Sequence, residues 1–176
     1  TLCAGLLNVS IISFFERSED GWFLAVLFFI PLITGMSGNI GLQCSTILVR
    51  SMATGLLSSG GRSQAIMREI TTGILTGTAF GIGTGVLVYS LGALGFHTIQ
   101  GDAIAIAIVI GGGVLGTSLT STLLGVSSPL FFAKMGVDPA VASGPIVTAF
   151  NDVLSTLIFF LIAKFISNFF VIYPVI

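Results

Sequence analysis

The chain has 176 residues, a net charge of −1, 54% hydrophobic residues and only 7% charged ones, with a mean hydropathy of +1.10. A soluble domain carries about 25% charged residues, and this much apolar surface exceeds what one small water-soluble core can hide, so the expected fold class is an all-α integral membrane protein. Six Lys plus Arg make no basic field for nucleic acid, and Cys3 and Cys44, far apart and without CxxC or Cys/His spacing, give no support to zinc, iron–sulfur or a disulfide framework.

Five apolar runs come near or exceed the ~20 residues that cross a ~30 Å hydrocarbon core. The first, roughly 2–15, is shorter than the rest and starts without methionine inside apolar sequence, so further residues are expected upstream. No basic n-region and no small-residue cleavage site precede the acidic turn at 16–20, which argues against a signal peptide. The remaining runs are roughly 22–49, 66–94, 103–132 and 139–170. Arg50, Arg62 and Arg68 flank the second connection and Lys134 sits in the fourth, whereas the first and third hold Glu16, Glu19, Asp20 and Asp102 against Arg17 alone. The positive-inside bias then puts the N-terminus in the cytoplasm and the C-terminus outside, with Lys164 snorkelling at the outer end of the last helix.

Along the second run the character changes: 22–33 is apolar, while 34–43 is small and polar. Lipid cannot face that half. Either neighbouring helices bury Asn39 and Gln43, or the two amides, four residues apart on one helical face, line a wet passage; the passage is the preferred reading. The third run carries Gly73, Gly77, Gly81 and Gly85 at four-residue intervals, a ladder that lets another backbone approach closely. Gly81-Ile82-Gly83 has no βαβ context for a nucleotide, and Arg68-Glu69 reads as an interfacial anchor. In the following connection His97 has no metal-ligand companion at i+3 or i+4 and reads as solvated. Asp102 and Asp138 are placed to cap the fourth and fifth helices. In the fourth run, Gly111, Gly112, Gly113 and Gly116 read as close packing rather than a hinge, and Thr117, Ser118, Thr120, Ser121 and Thr122 are expected to bond the carbonyl one turn back.

The fifth run of ~32 residues would extend ~48 Å as one helix, so tilt or a break must absorb the excess, and Gly144-Pro145 is the expected break. Its centre holds Asp152, a lone carboxylate where an ionisable group costs about 2.5–3.5 kcal/mol on insertion scales and is by default functional. Gly144, Thr148, Ser155 and Thr156 share its face, while Phe150, Val153, Leu157, Phe160 and Leu161 lie largely elsewhere. With no basic residue at comparable depth, a cation is the better partner for an ionised Asp152; the alternative keeps it protonated or bonded to a hydroxyl as structural glue. No Ser/His pair, paired-Asp set or HExxH points to an enzyme.

Two blocks resemble the transmembrane domain of the MgtE family of magnesium channels, related to eukaryotic solute-carrier magnesium transporters. One is Pro31-Leu32-Ile33-Thr34-Gly35-Met36-Ser37-Gly38-Asn39-Ile40-Gly41-Leu42-Gln43, and the other is Gly136-Val137-Asp138-Pro139-Ala140-Val141-Ala142-Ser143-Gly144-Pro145-Ile146-Val147-Thr148, continuing to Asp152. The resemblance covers essentially all of 1–176 as a single pore domain. It implies a homodimer of five-helix protomers in a bacterial inner membrane, with the second and fifth runs of both copies around a cation path on the two-fold axis. Asp152 aligns with the family's pore aspartate, which recognises Mg²⁺ through its water shell; Thr148 would add a backbone carbonyl, and Asn39 part of the wall. Mg²⁺ dehydrates reluctantly, which suits two carboxylates holding a hydrated ion. Gly144 stands where some members have Asn, and Leu42 where a small polar residue is common. Most members also carry a cytoplasmic N-domain and paired CBS domains, so such regulatory domains are expected in a full-length protein. The rival reading is a secondary transporter coupling a divalent cation to H⁺ or Na⁺, with Asp152 as the carrier carboxylate.

Overall fold

The computed structural model describes residues 2–17, 22–57, 61–95 and 103–168; Glu19, Asp20, His97 and Asp102, given roles above, lie outside them. Six helices follow one another among the described residues: α1 (Leu2–Glu16), α2 (Trp22–Leu27), α3 (Ile30–Ala53), α4 (Arg62–Ala93), α5 (Ala103–Lys134) and α6 (Pro139–Ser167). α3, α4, α5 and the 144–167 part of α6 are each long and apolar enough to cross a membrane, while α1 is apolar but only 15 residues long.

α5 is the hub. It packs against α3, α4 and α6, and both ends of its length are lined by buried residues, from Ala105 and Ile106 to Val126 and Pro129. Glycine is what lets the backbones meet. On α4, a Cβ at Gly73 would run into Thr122, one at Gly77 would lie 2.8 Å from Ser118 Cβ, one at Gly81 2.8 Å from the Gly111 carbonyl, and one at Gly85 3.2 Å from the Ala107 carbonyl. The four rungs therefore descend α5 as they climb α4, an antiparallel small-residue seam. α5 answers on other sides: Gly113 is filled by the Phe159 ring of α6, and Gly125 lies on the backbone of Gly41 in α3.

α1 and α2 join this core through aromatic rings. Phe160 of α6 stacks on Phe15 with centroids 5.0 Å apart and on Phe23 at 5.3 Å. These rings, with Val26, Ile33, Val88, Ile106, Ile110 and Phe159, form one apolar cluster. Such offset pairs contribute about 0.5–1.5 kcal/mol each beyond the area they bury.

The two prolines behave differently from expectation. The second apolar run is not one helix: it stops at Leu27, turns through Phe28 and Phe29, and restarts as α3 with Pro31 in its first turn. Proline has no N–H to give and clashes with the turn before it, so it opens a helix more readily than it continues one. α6, by contrast, runs unbroken through Pro145. Loss of one N–H there leaves the helix intact, as membrane helices tolerate when neighbouring groups take up the freed polar atoms.

The connection from α5 to α6 is sharply defined. The Gly136 N–H donates to the Ala133 carbonyl at 3.2 Å and the Val137 N–H to the Phe132 carbonyl at 3.0 Å, with Gly136 at φ 73°. This is a Schellman motif, which asks for glycine at the left-handed position. Asp138 then accepts from the Ala140 N–H at 2.9 Å, and Pro139 begins α6. Gly136→Ala is expected to cost about 1–2 kcal/mol from the left-handed penalty alone, read as a lower thermal unfolding midpoint in detergent.

Candidate functional site

The centre of the chain is where α3 and α6 pack against each other and both lean on α5. α3 has two unlike flanks. Ile33, Ser37, Ile40, Gly41, Cys44, Ser45 and Leu48 are buried, and Gly35, Asn39, Gln43, Thr46 and Arg50 form an exposed stripe spaced by three or four residues. The amides of Asn39 and Gln43 bond no other described residue. Hydrocarbon leaves such groups unsatisfied, so this flank calls for water or for another chain.

On α6 the polar residues divide by direction. Thr148 is half-buried and its hydroxyl donates to the Gly144 carbonyl at 3.0 Å. Asp152 is half-buried; its main-chain carbonyl accepts from the Thr156 hydroxyl at 2.8 Å, while its carboxylate bonds no described residue. Ser155 and Thr156 are both buried. Ser155 lies 2.9 Å from the Ser37 hydroxyl and donates to Asn151 Oδ1 at 3.2 Å, and Asn151 Nδ2 donates to the Ser37 hydroxyl at 3.4 Å. α3 and α6 are thus joined by a buried polar knot at residue 151, and the next residue along is the carboxylate.

Three hydroxyls of α5 bond backward as expected: Thr117 to Gly113, Thr120 to Gly116 and Thr122 to Ser118. Ser121 differs, reaching across to donate to the Ser37 carbonyl, and the buried Ser118 hydroxyl has no partner among the described residues. Residues 68 and 69 also separate. Arg68 is exposed, but Glu69 is only 4% exposed, because neighbours on a helix point about 100° apart. Only Arg68 is placed as a surface anchor.

No group of three His, Cys, Asp or Glu side chains that could hold a metal ion occurs among the described residues. Among the described residues no second such side chain joins Asp152, and a single carboxylate cannot supply the six oxygens of an octahedral Mg²⁺. What it can do is accept hydrogen bonds from the water shell of a cation, or meet a second carboxylate from another copy. Asn151 is the residue that sequence reading overlooked, although an amide in so apolar a helix is itself a signal of a buried polar contact.

Residues 30–162 match the model of the MgtE family, described as a divalent cation transporter. The magnesium transporter MgtE of Bacillus subtilis (strain 168) is 34% identical over 162 residues, covering 92% of this chain and 34% of its own. That of Enterococcus faecalis is 34% identical over 171 residues, covering 97% of this chain and 35% of its own. That of Thermus thermophilus is 26% identical over 163 residues. The chain spans about a third of the length of these relatives.

Proposed function

Starting from a chain that belongs to the MgtE family of divalent cation transporters, we propose that it forms the pore of a Mg²⁺-selective channel that admits Mg²⁺ to the cytoplasm. In this reading two copies pair about a two-fold axis. The exposed amide stripe of α3 and the Thr148–Asp152 flank of α6 line the path, and Asp152 of each copy holds a hydrated Mg²⁺. Two carboxylates neutralise the divalent charge without stripping its waters, which suits an ion that dehydrates reluctantly. α1 serves as a fifth span, the N-terminus is cytoplasmic, and the membrane is the bacterial inner membrane.

The observation that carries the proposal is Asp152 itself: a half-buried carboxylate, bonded to no described residue, within the membrane-spanning part of α6. An intramembrane carboxylate with no protein partner is costly unless an ion or water meets it. The relatives' names supply the ion. No coupling ion is needed, since a divalent cation gains ~4.6 kcal/mol per 100 mV of inside-negative potential.

The test is Mg²⁺ influx into proteoliposomes under a K⁺ diffusion potential, with H⁺ and Na⁺ gradients collapsed and excess Ca²⁺ or Mn²⁺ as competitor. Influx driven by voltage alone and resistant to the competitors is the expected result. Influx that vanishes when the gradients collapse would instead make the protein a coupled transporter, and no influx under any condition would reject both readings.

A further inference from the structure

We infer that Ser37, Asn151 and Ser155 form a hydrogen-bond ring that sets the rotation of α6, and with it the direction in which Asp152 faces; this rests on the reading of Asp152 as the ion site. The three side chains are 0%, 1% and 0% exposed. Each serine hydroxyl has one proton to give. Ser155 donates to Asn151 Oδ1 at 3.2 Å and the Asn151 amide donates to Ser37 Oγ at 3.4 Å, while the Ser37 hydroxyl lies 2.9 Å from that of Ser155 and 3.2 Å from the Thr34 carbonyl one turn back on α3. The three side chains close a loop in which Ser37 meets both Asn151 and Ser155, so the polar atoms of α6 are satisfied from α3.

The ring is anchored on both sides. Ser121 of α5 donates to the Ser37 carbonyl, tying the ring to the hub. The α3 backbone closes over the amide, since a Cβ at Gly38 would lie 3.3 Å from Asn151 Nδ2. Asn151 and Asp152 point about 100° apart on the helix. Holding the amide inward therefore keeps the carboxylate on the half-buried flank. Turning α6 enough to draw Asp152 inward would tear the two bonds that cross to Ser37, between side chains that are almost fully buried. Asn151 is thus a positioning residue that acts through its neighbour.

Ser37→Ala and Ser155→Ala each remove one oxygen and open the ring. In reconstituted protein each is expected to raise the half-saturating Mg²⁺ concentration five- to tenfold, about 1–1.4 kcal/mol, while maximal influx per folded protein stays within twofold. The double variant should be no worse than either single one, because the ring acts as a unit. A shift in maximal influx or unfolding temperature with half-saturation unchanged would overturn the inference, as would additive effects. Aggregation of Ser37→Ala on gel filtration would assign the ring to folding and overturn it too. Asp152→Asn run alongside separates the two readings: if it also leaves half-saturation unchanged, the ion site is what fails, and if only the serine variants are silent, the ring is what fails.

Discussion

Asp152→Asn should cut Mg²⁺ influx about thirtyfold to several thousandfold while leaving the protein folded. The magnitude follows from the charge removed: losing one partner of a desolvated charge pair costs roughly 2–5 kcal/mol, and each ~1.4 kcal/mol is a factor of ten. The proposed two-fold site would lose both of its carboxylates at once, so the upper part of the range is expected. Folding should survive because asparagine has the same shape, and the Asp152 side chain gives up no hydrogen bond to any described residue. An uncharged amide is also cheaper to keep at that depth than a carboxylate. The unfolding midpoint should therefore hold or rise as influx collapses. Influx within threefold of the parent would return Asp152 to a structural role.

The second large effect is mechanical. Gly125→Val and Gly111→Val are each expected to prevent accumulation of folded protein. A side chain at Gly125 has the Gly41 backbone in its way, with carbonyl carbon and Cα both 3.0 Å from the first added carbon. At Gly111 it meets the Gly81 carbonyl at 2.7 Å and the Gly85 Cα at 3.4 Å. Overpacking of ordinary cores costs about 1–3 kcal/mol and occasionally more, and that figure presumes side chains that can give way. Here the obstacle is main chain, so the helices must separate along their seam. Gly83→Val is the control, because a Cβ there has nothing within 4 Å. If all three variants elute and unfold alike, the glycine seam is not what holds α5 in place.

Much of this architecture is written in the hydropathy of the chain, because a bilayer leaves so few options for an apolar run of 20 or more residues. The long runs match α3 to α6 to within a few residues at most ends. Proline was harder to read. Pro31 and Pro145 carry the same local chemistry, yet only the first coincides with a break, since what surrounds a proline decides whether the lost bond matters. The polar residues of α6 show the same limit. Helical spacing groups Ser155 with Asp152, but its hydroxyl is engaged by Ser37 and Asn151, and Ser37 is 118 positions away. Glu69 reads as half of a surface pair until α3 and α5 are set beside it. Spacing tells which residues share a face of one helix; only the packing of several helices tells what that face meets.

The position of α5 at the hub also bears on how the protein is made. A ribosome delivers α3 and α4 before α5, and these two helices meet each other far less than each meets the hub. Until α5 arrives, the small-residue faces around Gly41 and Gly73 to Gly81 lack the Ser121, Thr122, Ser118 and Gly111 positions on which they pack. Biogenesis therefore includes a waiting period, in which an insertase or the lipid itself must shelter unfinished surfaces. It ends when the third of the long apolar helices enters and gives the earlier ones something to close upon.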